Sequence, residues 1–434
     1  PLCLRGSGTR AIFAVCGMRI CVVGSGGREH ALAHTLSLHA DVVVTPGSPG
    51  IKGSTGVAAT EIEADLYVIG PEVPLVDGLA DDLRSRGRHV FGPGADGAML
   101  EGSKIWMKEL VDAAGVPTAR YGSFRADEID QALEFLSTLV PPYVVKTDGL
   151  AAGKGVFVTD TYAEAVDDIQ NKLSGNSFGE AGRQIVIEEG LRGPELSLFA
   201  LCDGQKAVLI PTAAQDHKRL LNDDYGPNTG GMGCYSPLPE LSSQDLERLM
   251  DVAVHPTVNE LKNRGIDYRG VLFAGFMLTE EGPKLLEYNI RFGDPEAQVI
   301  LPRLEGDIAQ IFMQVALGDL KTELKISNDS MVTVVLAVEG YPVSPRTGDL
   351  IRGIEQAEAV KGATVFCAGV KGNSRSQLVT DGGRVLNVCG RGSTLGEARR
   401  IAYEAVNAIS WPGMQHRTDI GASIELETVQ EEIT

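Results

Sequence analysis

The stretch Val144-Val145-Lys146-Thr147-Asp148-Gly149-Leu150-Ala151-Ala152-Gly153-Lys154-Gly155-Val156 decides how the rest of the chain is read. An apolar, β-branched pair leads into Lys146, and a second lysine, Lys154, follows in a loop carrying Gly149, Gly153 and Gly155. Without Cβ atoms, those glycines let backbone N–H groups come close to a ligand. Two lysines on such a loop suit a polyanion, of which a nucleoside triphosphate is the commonest. Lys154 is followed by Gly155 and not by Ser or Thr, which sets the loop apart from the P-loop pattern. A tight hairpin with solvated lysines would use the same residues, so both readings stand on this stretch alone.

Composition narrows the field. With 434 residues the chain has room for roughly two to four domains. Its 43% hydrophobic and 22% charged content is that of a globular protein. Glycine, at 52 residues, is about 12% against a usual ~7%, and it falls in short clusters that suit functional loops. The formal net charge of −19, from 39 basic and 58 acidic residues, argues against nucleic acid and acidic membranes as partners. An anionic substrate must therefore meet a local basic site. Seven scattered cysteines without a CxxC pair fit a reducing cytosol and oppose a disulfide framework or a zinc site. No apolar run reaches the ~18 residues of a membrane helix. We read residues 1–17 as an extension of unknown role and Met18 as the functional start.

Outward from the lysine loop, the N-terminal part reads as a parallel α/β layer. The run Ile20-Cys21-Val22-Val23 is a buried strand, followed by Gly24-Ser25-Gly26-Gly27 and a helix from Arg28. A strand, glycines and a helix N-terminus form a nucleotide-type entry. Glu29 stands where the third glycine of GxGxxG would be, so dinucleotide chemistry has little support. His30 and His34, four apart, could pair on a metal, but with no third ligand they read as one polar helix face. Strands at 42–44, 66–69 and 89–91 each run into Gly/Pro loops, and the short gap between the first two leaves little room for a crossover helix.

The middle and the end of the chain differ in texture. A helix opening at Glu101-Gly102-Ser103-Lys104 runs to about Ala114, and further stripes pass through Ile129, Leu136 and Val140 and through Ala163, Val166 and Ile169. Strands follow at 185–189, 196–200 and 207–210, then a long polar glycine loop at 226–233, of a kind that usually carries function. One helix through Leu246 and Leu261 precedes strands at 270–278 and 284–288. Beyond residue 325 come a buried strand at 332–338, a hairpin around Asp381-Gly382, and a capping box from Thr394 to Glu397 before a last helix.

The constellation richest in chemistry is Glu287-Tyr288-Asn289-Ile290-Arg291. Glu287 and Asn289 share one strand face and suit a hard cation that bridges phosphates, with Arg291 one step on. Taken alone, the trio fits a polar edge-strand face. Together with the lysine loop it resembles the ATP-grasp superfamily, and within it the glycinamide ribonucleotide synthetase family. The resemblance rests on GSGGREHA (24–31), GPEVPLVDG (70–78), LEGSK (100–104), VVKTDGLAAGKGV (144–156), IVIEEGLRGPELS (185–197), QDHKR (215–219), GPNTGGMG (226–233), LLEYNIRFGDPE (285–296) and TDGGRVL (380–386). It covers residues 18–421, with the abbreviated stretch near 53–65 as a departure.

The resemblance implies an α/β and α+β multidomain fold. A Rossmann-like parallel layer at 18–100 would shape the substrate side, a two-part ATP-grasp domain at 101–325 would carry a mobile lid at about 119–192, and a small α+β domain would fill 326–434. It implies a cytoplasmic, monomeric ligase that joins glycine to 5-phosphoribosylamine through glycyl phosphate, using ATP and Mg²⁺ (or Mn²⁺). Lys104, Lys146 and the loop with Gly153, Lys154 and Gly155 would contact ATP. Glu188, Glu189 and Leu191 would form the hinge beside adenine, with Glu195 on the ribose. Glu287 and Asn289 would hold the metal. Arg291, Asp216, His217, Lys218, Asp294 and the loop residues Asn228, Thr229, Gly230 and Gly231 would hold glycine, the acyl phosphate or the amine, with Arg291, Lys146 and Asp216 in catalytic roles. Gly24, Gly26, Gly27 and Glu72 would shape the phosphoribosylamine side. Rival readings are another ATP-grasp carboxylate-amine ligase or carboxylase, a non-catalytic nucleotide-binding protein, and an oxidoreductase resting on GSGG alone.

Overall fold

The computed structural model describes residues 17–150, 155–175 and 184–422. Gly153 and Lys154, with the lid mobility expected around them, and the extension up to residue 16 lie outside the described residues. The first four strands, β1 (Arg19–Gly24), β2 (Asp41–Pro46), β3 (Leu66–Ile69) and β4 (His89–Phe91), form a parallel sheet in the order β2-β1-β3-β4. β1 and β3 are apolar nearly throughout because both faces of such a sheet are covered. Helix Gly27–Leu36 crosses from β1 to β2, whereas only the single turn Ala59–Glu61 lies between β2 and β3, as the short gap predicts. His30 and His34 both meet Phe366 edge-on, at 5.4 and 5.6 Å between ring centroids, and Cys367 N–H donates to His30 Nδ1 at 2.9 Å. The pair thus serves packing against the third domain.

The helix expected to open at Glu101 is two helices. Ala95–Gly102 ends there, Ser103 turns to φ −140° and ψ 121°, and its hydroxyl accepts Trp106 N–H as the cap of Lys104–Ala113. Beyond it, β5 (Tyr121–Arg125), β6 (Tyr143–Thr147), β7 (Val156–Thr159) and β8 (Gln184–Glu189) make an antiparallel sheet in the order β5-β8-β6-β7. Helices Ile129–Ser137 and Tyr162–Leu173 cover it. The second of these presents Ala165 and Ile169 inward and leaves Ala163 exposed, a shift from the expected stripe. This four-stranded unit, which is where the lid is expected, has a core of its own, built on Leu136, Val145, Ile169, Ile185 and Ile187.

The body is an eight-stranded antiparallel sheet that also carries the third domain. Its strands are β9 (Glu195–Asp203), β10 (Ala207–Asp216), β11 (Gly233–Ser236), β12 (Arg269–Thr279) and β13 (Gly282–Asn289). After the two-residue pair β14 (Leu304–Glu305) and β15 (Lys325–Ile326) come β16 (Ser330–Ala337), β17 (Ala363–Cys367), β18 (Val370–Gly372), β19 (Leu378–Thr380) and β20 (Arg384–Gly392). The order β13-β12-β9-β10-β11-β16-β20-β17 runs without a break, since Cys234 of β11 lies opposite Thr333 of β16.

Three local expectations change here. The hairpin around Asp381-Gly382 is absent: β19 pairs with β18, while β20 pairs with β16 and β17. The turn passes the chain between two sheets because the backbones of Gly369 and Gly382 meet; a Cβ on Gly382 would lie 3.0 Å from Gly369 Cα. The single helix expected through Leu246 and Leu261 is Ser243–Leu249 and His255–Asn263 joined by a π turn at Met250–Val254, next to Pro256, which lacks an N–H donor. Thr394 caps helix Leu395–Val406 by accepting Glu397 N–H, but the Glu397 carboxylate takes Ser393 N–H and not that of Thr394. No helix among the described residues is long and apolar enough to cross a membrane.

Candidate active site

Lid and body meet where the lysine stretch ends. β6 carries Lys146, β8 carries Glu188, and helix Lys104–Ala113 of the body carries Lys104 and Lys108. Lys146 Nζ lies 2.9 Å from one Glu188 oxygen, and Lys108 Nζ lies 3.1 Å from the other. Burial would raise the Glu188 carboxyl, but the two ammoniums outweigh it and hold the group below its usual range. Lys108, fully buried, is pushed down to about 8 by the same loss of water. Its Nζ also donates to Thr118 Oγ1 at 2.7 Å, and Thr118 Oγ1 donates to Leu285 O on β13 at 2.7 Å. Sequence reasoning missed Lys108, although its i, i+4 spacing from Lys104 marks one helix face.

The start of the glycine loop is tied to the same helix. Asp148 accepts Ser103 Oγ–H at 3.0 Å and Ile105 N–H at 3.1 Å, where an anion complements the helix N-terminus. Lys104 Nζ donates to Gly149 O at 2.9 Å. Gly155 O accepts Thr147 N–H at 2.9 Å, so the two ends of the loop lie side by side. Where β8 ends, Glu189 Oε1 accepts Arg120 N–H at 3.0 Å and approaches Lys284 Nζ at 3.5 Å. Leu191 follows, half-buried, just beyond the end of β8.

Glu287 and Asn289 stand on β13 opposite Gly275 and Phe273. Burial would raise the Glu287 carboxyl, yet Lys218, Lys146, Lys104 and Arg291 hold it below its ordinary value. Among the described residues no side chain bonds directly to this carboxylate, so a charged acceptor stands ringed by cations without being spent on one. One carboxylate and one amide oxygen fit a hard divalent cation that draws its other ligands from phosphates and water. Among the described residues no cluster of three or more His, Cys, Asp or Glu could hold a metal alone.

Arg291, set between Glu287 and the parallel layer, donates to Glu72 Oε2 at 3.2 Å and to Glu101 Oε1 at 2.5 Å. Arg28 reaches the same Glu72 oxygen at 3.8 Å and donates to Glu29 Oε1 at 2.6 Å. Glu29 in turn accepts Gly26 N–H at 2.7 Å. Gly24 and Gly70 make room for this buried carboxylate: a Cβ on Gly24 would sit 2.3 Å from Glu29 Cγ, and one on Gly70 2.2 Å from Glu29 Oε1. The helix N-terminus beside Gly26 and Gly27 is thus partly capped from within, and Gly27 packs against Asn387 and Gln298.

On the far side, Asp216 closes β10 and precedes His217 and Lys218. The Asp216 carboxyl is raised well above its usual range, first by burial and then by Glu296. Glu296, only 5% exposed, is raised by burial as well and accepts Ser197 Oγ–H at 3.3 Å. Lys218 is ion-paired with Glu195, which joins two residues read from separate motifs. Burial pushes His217 down to about 4, with Arg417 adding to the shift, so its ring is neutral at pH 7. Its backbone carries the loop, donating to Gly233 O and accepting Met232 N–H, both at 2.8 Å. Asn228 bridges to Arg219, and Thr229 donates both N–H and Oγ1–H to Lys218 O at 2.8 Å. Gly231, at φ 107°, lies so close that a Cβ would stand 2.6 Å from Asp216 Oδ1. Asp294 accepts Gln298 Nε2–H at 2.6 Å and faces Arg384 at 3.2 Å. Arg384 and Glu296 were missed in the sequence.

A lysine-bearing antiparallel lid over a sheet whose edge strand carries a carboxylate and an amide defines an ATP-grasp ligase, a class that uses ATP. Family models for phosphoribosylglycinamide synthetase match along the chain: the N domain at residues 18–101, the ATP-grasp (A) domain at 102–297 and the C domain at 331–423. The chain belongs to the phosphoribosylglycinamide synthetase family. The phosphoribosylamine–glycine ligase of Mesorhizobium japonicum is 44% identical over 421 residues, covering 93% of this chain and 98% of the relative. That of Caulobacter vibrioides is 46% identical over 422 residues, with the same coverage of 93% and 98%. The crystal structure of the phosphoribosylamine–glycine ligase from Thermotoga maritima is 34% identical with a TM-score of 0.82, covering 93% of this chain and 100% of that one.

Proposed function

We propose that this chain joins glycine to 5-phosphoribosylamine at the expense of ATP, giving glycinamide ribonucleotide, ADP and phosphate for purine biosynthesis. The observation that carries the reading is Glu287: an unspent carboxylate beside Asn289, ringed by Lys104 from the body, Lys146 from the lid and Lys218 from the amine side. A glycine carboxylate is a poor acyl donor, so its oxygen first attacks the γ-phosphorus, ADP leaves, and the amine of phosphoribosylamine then displaces phosphate from the acyl carbon. Such steps need positioning and charge neutralisation more than a nucleophilic side chain.

Lys104 and Lys146 would take the phosphates from two sides, with Gly153, Lys154 and Gly155 closing over them. Glu188 would orient Lys146 through its ion pair, and the backbone of Glu188, Glu189 and Leu191 would face adenine. Glu195 would meet the ribose, where its pairing with Lys218 links the two halves of the site. Glu287 and Asn289 would hold Mg²⁺ or Mn²⁺, which supplies charge neutralisation on the phosphates. Asp216, His217, Lys218 and the 228–233 loop, with Asp294, would hold glycine and the amine. Arg291, pinned by Glu72 and Glu101, would present its guanidinium edge to the acyl phosphate. Gly24, Gly26, Gly27 and Glu72 would line the phosphoribosylamine side. The free, buried Cys21, Cys202, Cys234, Cys367 and Cys389 support a reducing compartment such as the cytosol, and we place the chain there as a monomer.

A coupled assay of ADP formation should depend on both glycine and the ribosylamine. In the Glu287→Ala, Asn289→Ala double variant, ligase activity should be lost at ordinary Mg²⁺; retained activity would sink the metal assignment.

A further inference from the structure

We propose that Arg384 is a positioning residue for the amine half of the site: from the third domain, it locks the glycine loop at 228–233 onto Asp216. The proposal deepens the function given above and rests on that loop being a substrate loop. Arg384 opens β20, immediately after the Asp381-Gly382-Gly383 turn that crosses between sheets. One guanidinium nitrogen, Nη1, donates to Gly230 O, to Gly231 O at 3.4 Å and to Asp294 O at 2.6 Å. Nη2 faces the Asp294 carboxylate at 3.2 Å. A single planar fork therefore gathers the loop and the 292–296 segment, across 154 and 90 residues of chain.

The neighbouring residues fit that use. Tyr341 Oη accepts Gly230 N–H at 3.0 Å, and a Cβ on Gly383 would lie 2.2 Å from the Tyr341 ring. With Gly230 gripped from both sides, Gly231 takes a φ of 107° and closes on Asp216 and Pro295, where a Cβ would stand 2.6 and 2.5 Å away. Asp216 Oδ1 is buried there with no hydrogen-bond partner among the described residues. Its setting beside Glu296 and under the loop backbone is thus fixed by a residue that reaches it only through Gly230 and Gly231. None of the Arg384 contacts touches Lys104, Lys146 or Glu287, so ATP should not sense its loss.

Steady-state kinetics of the full-length enzyme test this. Arg384→Ala should raise KM for glycine about tenfold or more, as hydrogen bonds from a charged donor disappear. KM for ATP should stay within about twofold. Arg384→Lys should recover only part of the loss, because a single ammonium nitrogen cannot span the three carbonyls and the Asp294 carboxylate that the two guanidinium nitrogens reach, and added guanidinium should restore Arg384→Ala. An unchanged KM for glycine, equal rises in both KM values, or no response to guanidinium would overturn the positioning role. Asp216→Asn, measured alongside, separates the two layers. If it raises KM for glycine while Arg384→Ala does not, only the positioning fails. If neither variant moves it, the loop is not a substrate loop and the reading beneath falls too.

Discussion

The lid and the sheet it closes upon are held by different forces. The lid buries Val145, Ile169, Ile185 and Ile187 in a core that includes no residue of the body. The parallel layer, the central strands and the third domain share theirs: Tyr67, Leu198 and Val334 fall in one continuous cluster, and Phe91, Phe199 and Phe366 in another. Between lid and body the contacts named above are polar, from Lys108–Glu188 to Asp148 at the cap of Lys104–Ala113. Apolar continuity makes three parts of the molecule move as one, because separating them would expose core to water. Ion pairs with fixed geometry can part and re-form at little net change in free energy, since water replaces what is lost. The lysines that would meet ATP sit on that separable seam.

The strongest test cuts the seam at its lysine. Lys146→Ala should lower kcat/KM for ATP by roughly two to three orders of magnitude, the loss typical of a preorganised charge that faces a transferring group. KM for glycine should change little, since Asp216 and the 228–233 loop lie on the other side of Glu287. Equal losses for both substrates would show that the two sides are not separate.

A second test removes apolar volume from one side and then from the other. Ile187→Ala and Leu198→Ala both empty fully buried sites, at a cost of about 2–4 kcal/mol each. Hydrogen exchange should report the first as lost protection within β5–β8 only, and the second as a loss across the parallel layer and the third domain too. If Ile187→Ala loosens the whole molecule, the lid is not an independent unit.

The sequence made the strands legible wherever apolar runs were short and bounded by glycine or proline, as at His89–Phe91, read to the residue. The shared strand of Glu287 and Asn289 was legible from the alternation of β13, but alone the pair fits a polar edge strand, and only the lysine loop gave it a chemical reading. What stayed hidden depended on partners far along the chain. Ser103 could break a helix because Asp148, 45 residues later, stabilises the new N-terminus. The Asp381-Gly382 turn reads as a hairpin until Gly369 is found against it. Arg384 lay in the quoted segment TDGGRVL (380–386) without a role, since its acceptors, loop carbonyls and the Asp294 carboxylate, are brought near only by folding.

The smallest expected effect concerns Lys108, the one lysine on the seam that faces no ligand in this reading. Buried against Glu188 and Thr118, it titrates at about 8 in the folded protein, below its usual value of 10.5. Between those two values the unfolded chain holds more protons at this residue than the native one does, so its contribution to stability grows as pH rises. The slope has an upper bound of about 1.4 kcal/mol per pH unit, and Lys108→Met should abolish it. The difference in unfolding free energy between the wild-type protein and Lys108→Met should therefore shift in favour of the wild type from pH 7.5 to pH 9.5. The seam should behave oppositely. Above pH ~8, Glu188 loses one of its two cations and leans on Lys146 alone, which leaves that lysine less free for phosphate, so KM for ATP should rise a few-fold in the wild type. In Lys108→Met that lysine is always so held, and KM for ATP should start higher and stay level over the same range. A wild-type KM for ATP that is flat through pH 8, or a variant that still shows the rise, would remove Lys108 from the coupling between lid and body.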